Sequence, residues 1–207
     1  MAAGLFVSFE GVDGSGKSTQ SRMLASTLTD MGHDVVLTRE PGGSDGAEKI
    51  RALLVEGDPS RWSAEAEILL FTAARRDHLE RRITPALDAG QIVLCDRFAD
   101  STRVYQGATR GDLRSVVDQL HDMMIGREPD LTIVIDMDPA ISLERGLARK
   151  SGEDRFEEFG AEFQLKLRDG FLALAQKYKA RCVVVDGHKS AEELGAEIKK
   201  IVLDRLA

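Results

Sequence analysis

Eight residues near the start of the chain, Gly11 to Ser18 with the sequence GVDGSGKS, have the types and spacing of a polyphosphate cradle. Gly11, Gly14 and Gly16 let the backbone wrap closely around a phosphate chain with its N–H groups turned inward. With Val12, Asp13, Ser15 and Thr19 they make up the predicted triphosphate-binding loop. Lys17 is expected to bridge β- and γ-phosphate oxygens, and the Ser18 hydroxyl to ligate Mg2+. Such a loop works only between a strand and a helix, because the helix N-terminus adds unpaired N–H groups and a favourable dipole. The apolar run Leu5 to Glu10 before it and the helical stretch containing Leu24 after it meet that condition. The chain contains no asparagine, so the guanine-reading pattern Asn-Lys-x-Asp is absent and ATP is the expected triphosphate.

A second segment, DRFADSTRVYQG from Asp96 to Gly107, begins where a predicted strand ends. That is the edge at which open α/β sheets bind ligands. Asp96 can hold a metal or its water beside Ser18, and Arg97 offers a planar fork suited to a phosphate dianion. A structural ion pair accounts for Asp96 and Arg97 equally well. The segment REPGG, Arg39 to Gly43, places another loop on this edge and by itself is only a turn signal.

These residues need a scaffold, and the order of apolar runs supplies one. Short runs suited to strands alternate with stretches of helical period, which predicts a parallel sheet with helices on both faces. The predicted strands are Leu5 to Glu10, Asp34 to Thr38, Gln91 to Asp96, Leu131 to Asp136 and Arg181 to Asp186. The first helix is expected to bury Leu24, Leu28 and Met31 and to stop at Gly32, and the second to bury Ile50, Leu53 and Leu54. A third opens at Ser63 with Glu65 and Glu67 in its first turn, runs through Leu69, Leu70 and Ala73 towards Ile83, and is expected to break at Thr84-Pro85. Apolar stripes Leu113, Val116, Val117, Leu120, Met124 and Phe159, Phe163, Leu167, Phe171, Leu174 predict two more core-facing helices. Ser190 and Glu193 form a capping box ahead of Leu194, Ile198 and Ile201. The reading is one domain over residues 1–207, with the loop Arg39 to Gly46 and the charged segment Arg149 to Glu158 left unassigned.

Composition narrows the partners. A formal net charge of -7 argues against a protein held to nucleic acid or anionic lipid by a general positive field. No apolar run is long enough to span a bilayer and the N-terminus lacks a signal-peptide pattern, so a cytoplasmic protein is expected. Cys95 and Cys182 lie in buried-strand runs and read as inert core thiols, and His33, His78, His121 and His188 show no ligand spacing.

The blocks FEGVDGSGKST, TREPGGS, LLFTAARRDH, DRFADSTRVYQG, PDLTIVIDMDP and EDRFE, in that order, resemble the thymidylate kinases. The resemblance implies a P-loop three-layer α/β fold with a five-stranded parallel sheet, and transfer of the γ-phosphate of ATP to dTMP in dTTP synthesis. It further implies MgATP and dTMP as partners, a short lid at about residues 145–158 and a homodimer. By the same resemblance Phe71 stacks on thymine and Arg75 hydrogen-bonds its edge. Arg97 holds the acceptor phosphate with Arg39 nearby, Tyr105 disfavours a 2′-hydroxyl, and Ser101 and Gln106 complete the pocket. Asp13 approaches the acceptor's sugar or phosphate. Without the resemblance, Phe71 in the run ILLF reads as core and Arg75 and Arg76 as a solvated helix face.

The segment RGLARKSGEDRFE resembles a lid that supplies catalytic arginines, with Arg149 expected first and Arg155 second. Two departures stand out. Ser44 occupies a position where threonine is usual, and Thr102, Arg103 and Val104 replace small residues, so Arg103 is expected to alter pocket charge or dimer contacts. Another small P-loop kinase with a different acceptor, or a nucleotide-gated binding module, remains compatible with the residues alone.

Overall fold

The computed structural model describes residues 4–56, 61–107, 112–147 and 160–206. Five strands, β1 (Phe6–Glu10), β2 (Val35–Arg39), β3 (Ile92–Asp96), β4 (Leu131–Asp136) and β5 (Cys182–Asp186), form one sheet in the order β2-β3-β1-β4-β5. Every pairing is parallel, which obliges each connection to cross back over the sheet through a helix. The five predicted strands are thus present, displaced by at most one residue at an end.

Alternation along the strands sorts side chains between two faces. Val7, Phe9, Leu94, Ile133, Ile135 and Val185 meet Leu24 and Leu28 of α1 (Lys17–Asp30) and Leu194, Ile198 and Val202 of α9 (Ala191–Leu206). On the opposite face Phe6, Val93 and Cys95 pack under Leu79, Ile83 and Ala86. Val134 and Cys182 meet Val104 and Tyr105 of α5 (Ala99–Tyr105) and Leu167, Phe171 and Leu174 of α8 (Gly160–Lys177). The α8 stripe is therefore core, as its spacing predicts; Phe159 lies outside the described residues. The capping box closes as expected, with Glu193 N–H donating to Ser190 Oγ at 3.2 Å and Ser190 N–H to Glu193 Oε2 at 3.1 Å. Both cysteines are buried and unpaired.

Several helix faces differ from the periodicity reading. Met31 lies beyond the end of α1 and is exposed, because the chain has already turned at Gly32, whose φ is 87°. In α2 (Asp45–Val55) Leu54 is buried but Leu53 is exposed. In α3 (Ala64–His78) Leu69 and Ala73 face outwards, while the inner face carries Glu67, Thr72, Arg75 and His78. The apolar stripe and the buried face are rotated apart because this helix turns polar side chains towards a cavity. α6 (Arg114–Met124) buries Val117 and His121 yet exposes Val116 and Met124, so its apolar face is wider than its core contact. The chain continues through α7 (Pro139–Leu147) towards α8.

The predicted break at Thr84-Pro85 does not occur. Thr84 is helical at φ -59° and ψ -49°, and its N–H bonds to Leu79 O, so Leu79–Ile83 form a π-helical turn leading into α4 (Thr84–Asp88). Proline lacks an N–H and its ring collides with the carbonyl four residues back in a regular helix. The wider turn accommodates it without ending the helix.

Leu28, fully buried between α1, α9 and the sheet, tests this packing. Leu28→Ala is expected to lower unfolding free energy by about 2–5 kcal/mol in urea titrations. A loss under about 1 kcal/mol would contradict the arrangement of that core.

Candidate active site

Strand register brings the site together. β1 lies between β3 and β4, and Phe9 pairs with Asp96, so the glycine loop after β1 and the Asp96-Arg97 segment after β3 emerge side by side. Arg97 N–H donates to Phe9 O at 2.9 Å and Glu40 N–H to Asp96 O at 2.9 Å. Three loops, following β1, β2 and β3, are thereby tied at one edge. The Glu40-Pro41 peptide is cis.

Within the glycine loop, Gly11, Gly14 and Gly16 all have positive φ. Gly14 is also sterically confined, since a Cβ there would stand 1.9 Å from Ser142 O. Lys17 is buried and donates to Gly11 O at 3.1 Å and Val12 O at 2.7 Å. Burial and the neighbouring Arg97 guanidinium push its ammonium down to about 8. The Val12 side chain joins the core cluster with Tyr105, leaving backbone groups to define the loop's inner surface. Ser18 Oγ and Asp96 Oδ2 touch directly, two oxygen ligands of the kind Mg2+ prefers. Among the described residues no cluster of three or more His, Cys, Asp or Glu side chains could hold a metal. Magnesium commonly takes only one or two protein ligands, so this pair fits the ion.

Among the described residues Arg97 is the non-glycine residue with positive φ, at 71°. An L-residue in that region is strained by roughly 1–3 kcal/mol and needs its surroundings to hold it. Arg97 donates to Asp13 Oδ1 at 2.5 Å, Ser101 Oγ at 2.9 Å, Gly11 O at 3.1 Å and Tyr105 Oη at 3.3 Å. Tyr105 in turn donates to Asp13 Oδ2 at 2.8 Å. Burial alone raises the Asp13 carboxyl, but Arg97, Lys17 and the tyrosine hydroxyl outweigh it and hold the group at about 2. Burial pushes the Tyr105 phenol up, so it stays a neutral donor.

Beneath this corner sits Glu10, which the sequence reading did not single out. Its carboxylate accepts from Phe98 N–H at 2.8 Å and Ser101 Oγ at 2.6 Å, bracing the residues on either side of the strained turn. Burial, reinforced by Asp100, pushes its carboxyl up to about 7 against the pull of Arg97.

A cavity of about 400 Å3 opens over these groups. All the acceptor-side residues named from the sequence line it: Arg39, Phe71, Arg75, Arg97, Ser101, Tyr105 and Gln106, with Asp13, Lys17, Ser18 and Asp96 on its floor. Phe71 is half-buried and lines the cavity rather than filling the core, and Arg75 is buried rather than solvated. Arg39 also pairs with Glu48 at 3.2 Å near solvent. Gln106 donates to Glu67 at 3.1 Å, so a carboxylate placed in a dipole-favoured first turn also orients a pocket residue. The cavity adds Glu40, Pro41, Arg51, Val55, Phe98 and Thr102 to those named beforehand. Glu40 stood in the quoted REPGG segment; Arg51 had no distinguishing signal on its helix.

A second cavity of about 460 Å3 lies on the other side of the glycine loop. Ser15, Thr19, Gln20, Arg22 and the stretch from Gly187 to Leu194 contribute to it, and it shares Gly14, Gly16 and Ser18 with the first.

Arg103 does not line the cavity. It is buried in an ionic cluster with Asp100 at 2.8 Å, Asp118 at 2.8 Å and Glu128 at 2.5 Å. Arg181 joins the same cluster through Asp100 at 2.6 Å. Arg149 and Arg155 lie outside the described residues.

The thymidylate kinase family model matches residues 9–198. The chain belongs to the thymidylate kinase family. Members phosphorylate dTMP to dTDP with ATP. The thymidylate kinase of Ruegeria pomeroyi is 64% identical over 203 residues, covering 98% of this chain and 96% of that one. That of Dinoroseobacter shibae is 69% identical over 195 residues, 94% of each chain. The crystal structure of thymidylate kinase from Ehrlichia chaffeensis superposes with a TM-score of 0.80 at 37% identity, over 97% of this chain and 99% of that one. The fold expected from the alternating pattern is therefore the family's own.

Glu10 generates a pH test. Its folded pKa lies above the model-peptide 4.5, so the native state holds the proton longer. Any stability Glu10 contributes is full below about 4.5 and is lost as pH rises through about 7. The near-isosteric Glu10→Gln variant is expected to gain in melting temperature relative to the unaltered protein as pH goes from 5 to 8, with most of the gain reached by about 7. A difference independent of pH would show that Glu10 is ionised throughout.

Proposed function

We propose that the chain transfers the γ-phosphate of ATP directly to dTMP, with the acceptor in the 400 Å3 cavity and the triphosphate of ATP in the 460 Å3 cavity. One observation carries the reading: both cavities are walled by Gly14, Gly16 and Ser18, so their occupants meet tail to tail at the glycine loop. On this reading residues Gly11 to Thr19 hold the phosphates, and adenosine lies towards Gly187 to Ser190. Lys17, whose ammonium burial and Arg97 push down to about 8, has its charged form favoured when it moves from two carbonyls onto phosphate oxygens.

On the acceptor side, Phe71 stacks on the base and Arg75 donates to a ring carbonyl. Arg97 takes the phosphate dianion, exchanging its bond to Asp13 for a charge-assisted pair with the substrate. Tyr105, on the cavity wall, disfavours a 2′-hydroxyl, and Ser101, Gln106 and Arg39 complete the contacts. The residues' task is positioning and charge neutralisation. A phosphate dianion needs no general base, and none of the described carboxylates is assigned that role. Ser18 and Asp96 would hold Mg2+, which when bound neutralises charge shared between the phosphates. The lid at residues 145–158, with Arg149 and Arg155, would close over the γ-phosphate and exclude water.

We also propose that the chain is one domain, works in the cytoplasm and forms a homodimer. No helix among the described residues is long and apolar enough to cross a membrane. For the dimer, Leu53 on α2, Leu69 on α3 and Val116, Met123 and Met124 on α6 are exposed on helices that pack in the sequence α2, α3, α6. Isolated exposed apolar residues are ordinary, but their occurrence on three neighbouring helices supports a contact surface there. Replacing Leu69 and Met123 together by Asp is expected to convert a dimer into monomers in sedimentation velocity. An assembly unchanged by both substitutions would place any interface elsewhere.

The decisive assay compares dTMP, dUMP, dCMP, AMP and thymidine as acceptors in ADP-release measurements, with Lys17→Ala as control. dTMP is expected to give the highest kcat/KM, and Lys17→Ala to lower it at least about a hundredfold with melting temperature preserved. ATP turnover that does not rise with any acceptor would sink the assignment.

A further inference from the structure

Arg75, read above as the donor to the base, has an unusual support. Its Nε–H donates to Glu40 Oε2 at 2.7 Å and one NH2 proton to Thr102 Oγ1 at 3.0 Å, while the guanidinium carbon lies 5.2 Å from the Phe98 ring centroid. The Arg75 and Glu40 side chains are 4% and 3% exposed, so neither charge has water to fall back on. Such a pair holds its geometry only if the carboxylate's other oxygen is also engaged.

That oxygen, Oε1, lies 3.1 Å from His78 Nδ1, and His78 Nε2 lies 2.7 Å from Thr38 Oγ1. A carboxylate can only accept, so Nδ1 carries a proton; in the neutral imidazole Nε2 then accepts from the Thr38 hydroxyl. The chain of contacts runs Thr38, His78, Glu40, Arg75, and it joins β2, the loop after it and α3. Gly43 seals it from outside: at φ 87° a Cβ there would stand 2.3 Å from His78 Nε2 and 2.5 Å from Thr38 Oγ1. His78 has no exposed surface and does not line the substrate cavity. Its hydrogen bonds are therefore spent entirely on orientation.

We propose that His78, acting through Glu40, is a positioning residue for base recognition: it fixes the Arg75 guanidinium so that the enzyme favours a pyrimidine with a carbonyl at C4 over one with an amino group there. This rests on the reading of Arg75 as the base donor. The physical ground is that a guanidinium offers only donors. Held rigidly, it bonds a C4 carbonyl and confronts a C4 amino group with donor against donor; free to swing, it avoids that conflict and loses discrimination.

The test is the ratio of kcat/KM for dTMP over dCMP, with ATP saturating, in four variants whose melting temperatures are also measured. Arg75→Ala is expected to lower the ratio at least about tenfold. His78→Leu, which removes both bonds, is expected to lower it about fivefold or more, through KM for dTMP, with kcat changed less than about twofold. His78→Asn, whose amide N–H can replace Nδ1–H towards Glu40, is expected to keep the ratio within about twofold of the unaltered enzyme. Glu40→Gln keeps shape but not charge and is expected to match His78→Leu, and it decides the matter if His78→Leu does not fold.

An unchanged ratio in folded His78→Leu or in Glu40→Gln, alongside a lowered one in Arg75→Ala, overturns this inference and leaves the base reading intact. An equal loss in His78→Asn and His78→Leu overturns the hydrogen-bond account. An unchanged ratio in Arg75→Ala overturns the base reading itself.

Discussion

The ion pair between Arg97 and Asp13 joins the ends of two neighbouring parallel strands, and much of the active site depends on how that junction is kept. Arg97 occupies backbone space that suits glycine, so its conformation has to be maintained by contacts on every side. Its own N–H is held by Phe9, the next residue's N–H by Glu10, and its guanidinium by Asp13, Ser101 and Tyr105. Each of these bonds comes from the end of β1, the glycine loop or α5. The strained turn therefore couples the phosphate cradle to the acceptor pocket at a single residue.

The walls of the pocket follow the same logic of buried polar groups satisfied by one another. α3 could have presented leucines to the sheet; instead it buries Glu67, Arg75 and His78, each engaged by a partner from another element. α5 is held on its far side by Asp100 and Arg103, whose ionic cluster ties it to Glu128 and Arg181. Burial of so many charges adds little net stability, since desolvation offsets most of the attraction. It does restrict the orientations available, because a buried charge that loses its partner costs far more than a misplaced methyl group.

Much of this was legible from residue order. The glycine-lysine-serine spacing, the Asp-Arg pair at a strand end and the five apolar runs led to the correct strands within one residue and to pocket residues that do line one cavity. Where reasoning from periodicity failed, it failed for a common reason. Val116 and Met124 read as core because they are apolar and regularly spaced, yet the face of α6 that meets the protein interior is partly polar, carrying His121 beside Val117. Periodicity reports a stripe's existence but not what the stripe faces. Thr84-Pro85 read as a stop because a regular helix cannot tolerate proline there; a single π-helical turn removed the conflict.

Local composition by itself determined the alternation of strand and helix, the phosphate loop and the chemistry its residues can perform, since those depend on contacts within a few positions along the chain. Only the tertiary structure decided that Glu10 braces the Arg97 turn, that Arg103 is buried among Asp100, Asp118 and Glu128 rather than lining the cavity, and that Glu40 joins His78 to Arg75. Those relations link residues that are 88, 25, 38 and 35 positions apart. No pattern along the sequence encodes such distances; they arise when parallel strands, each returning through a helix, set the ends of β1, β2 and β3 side by side.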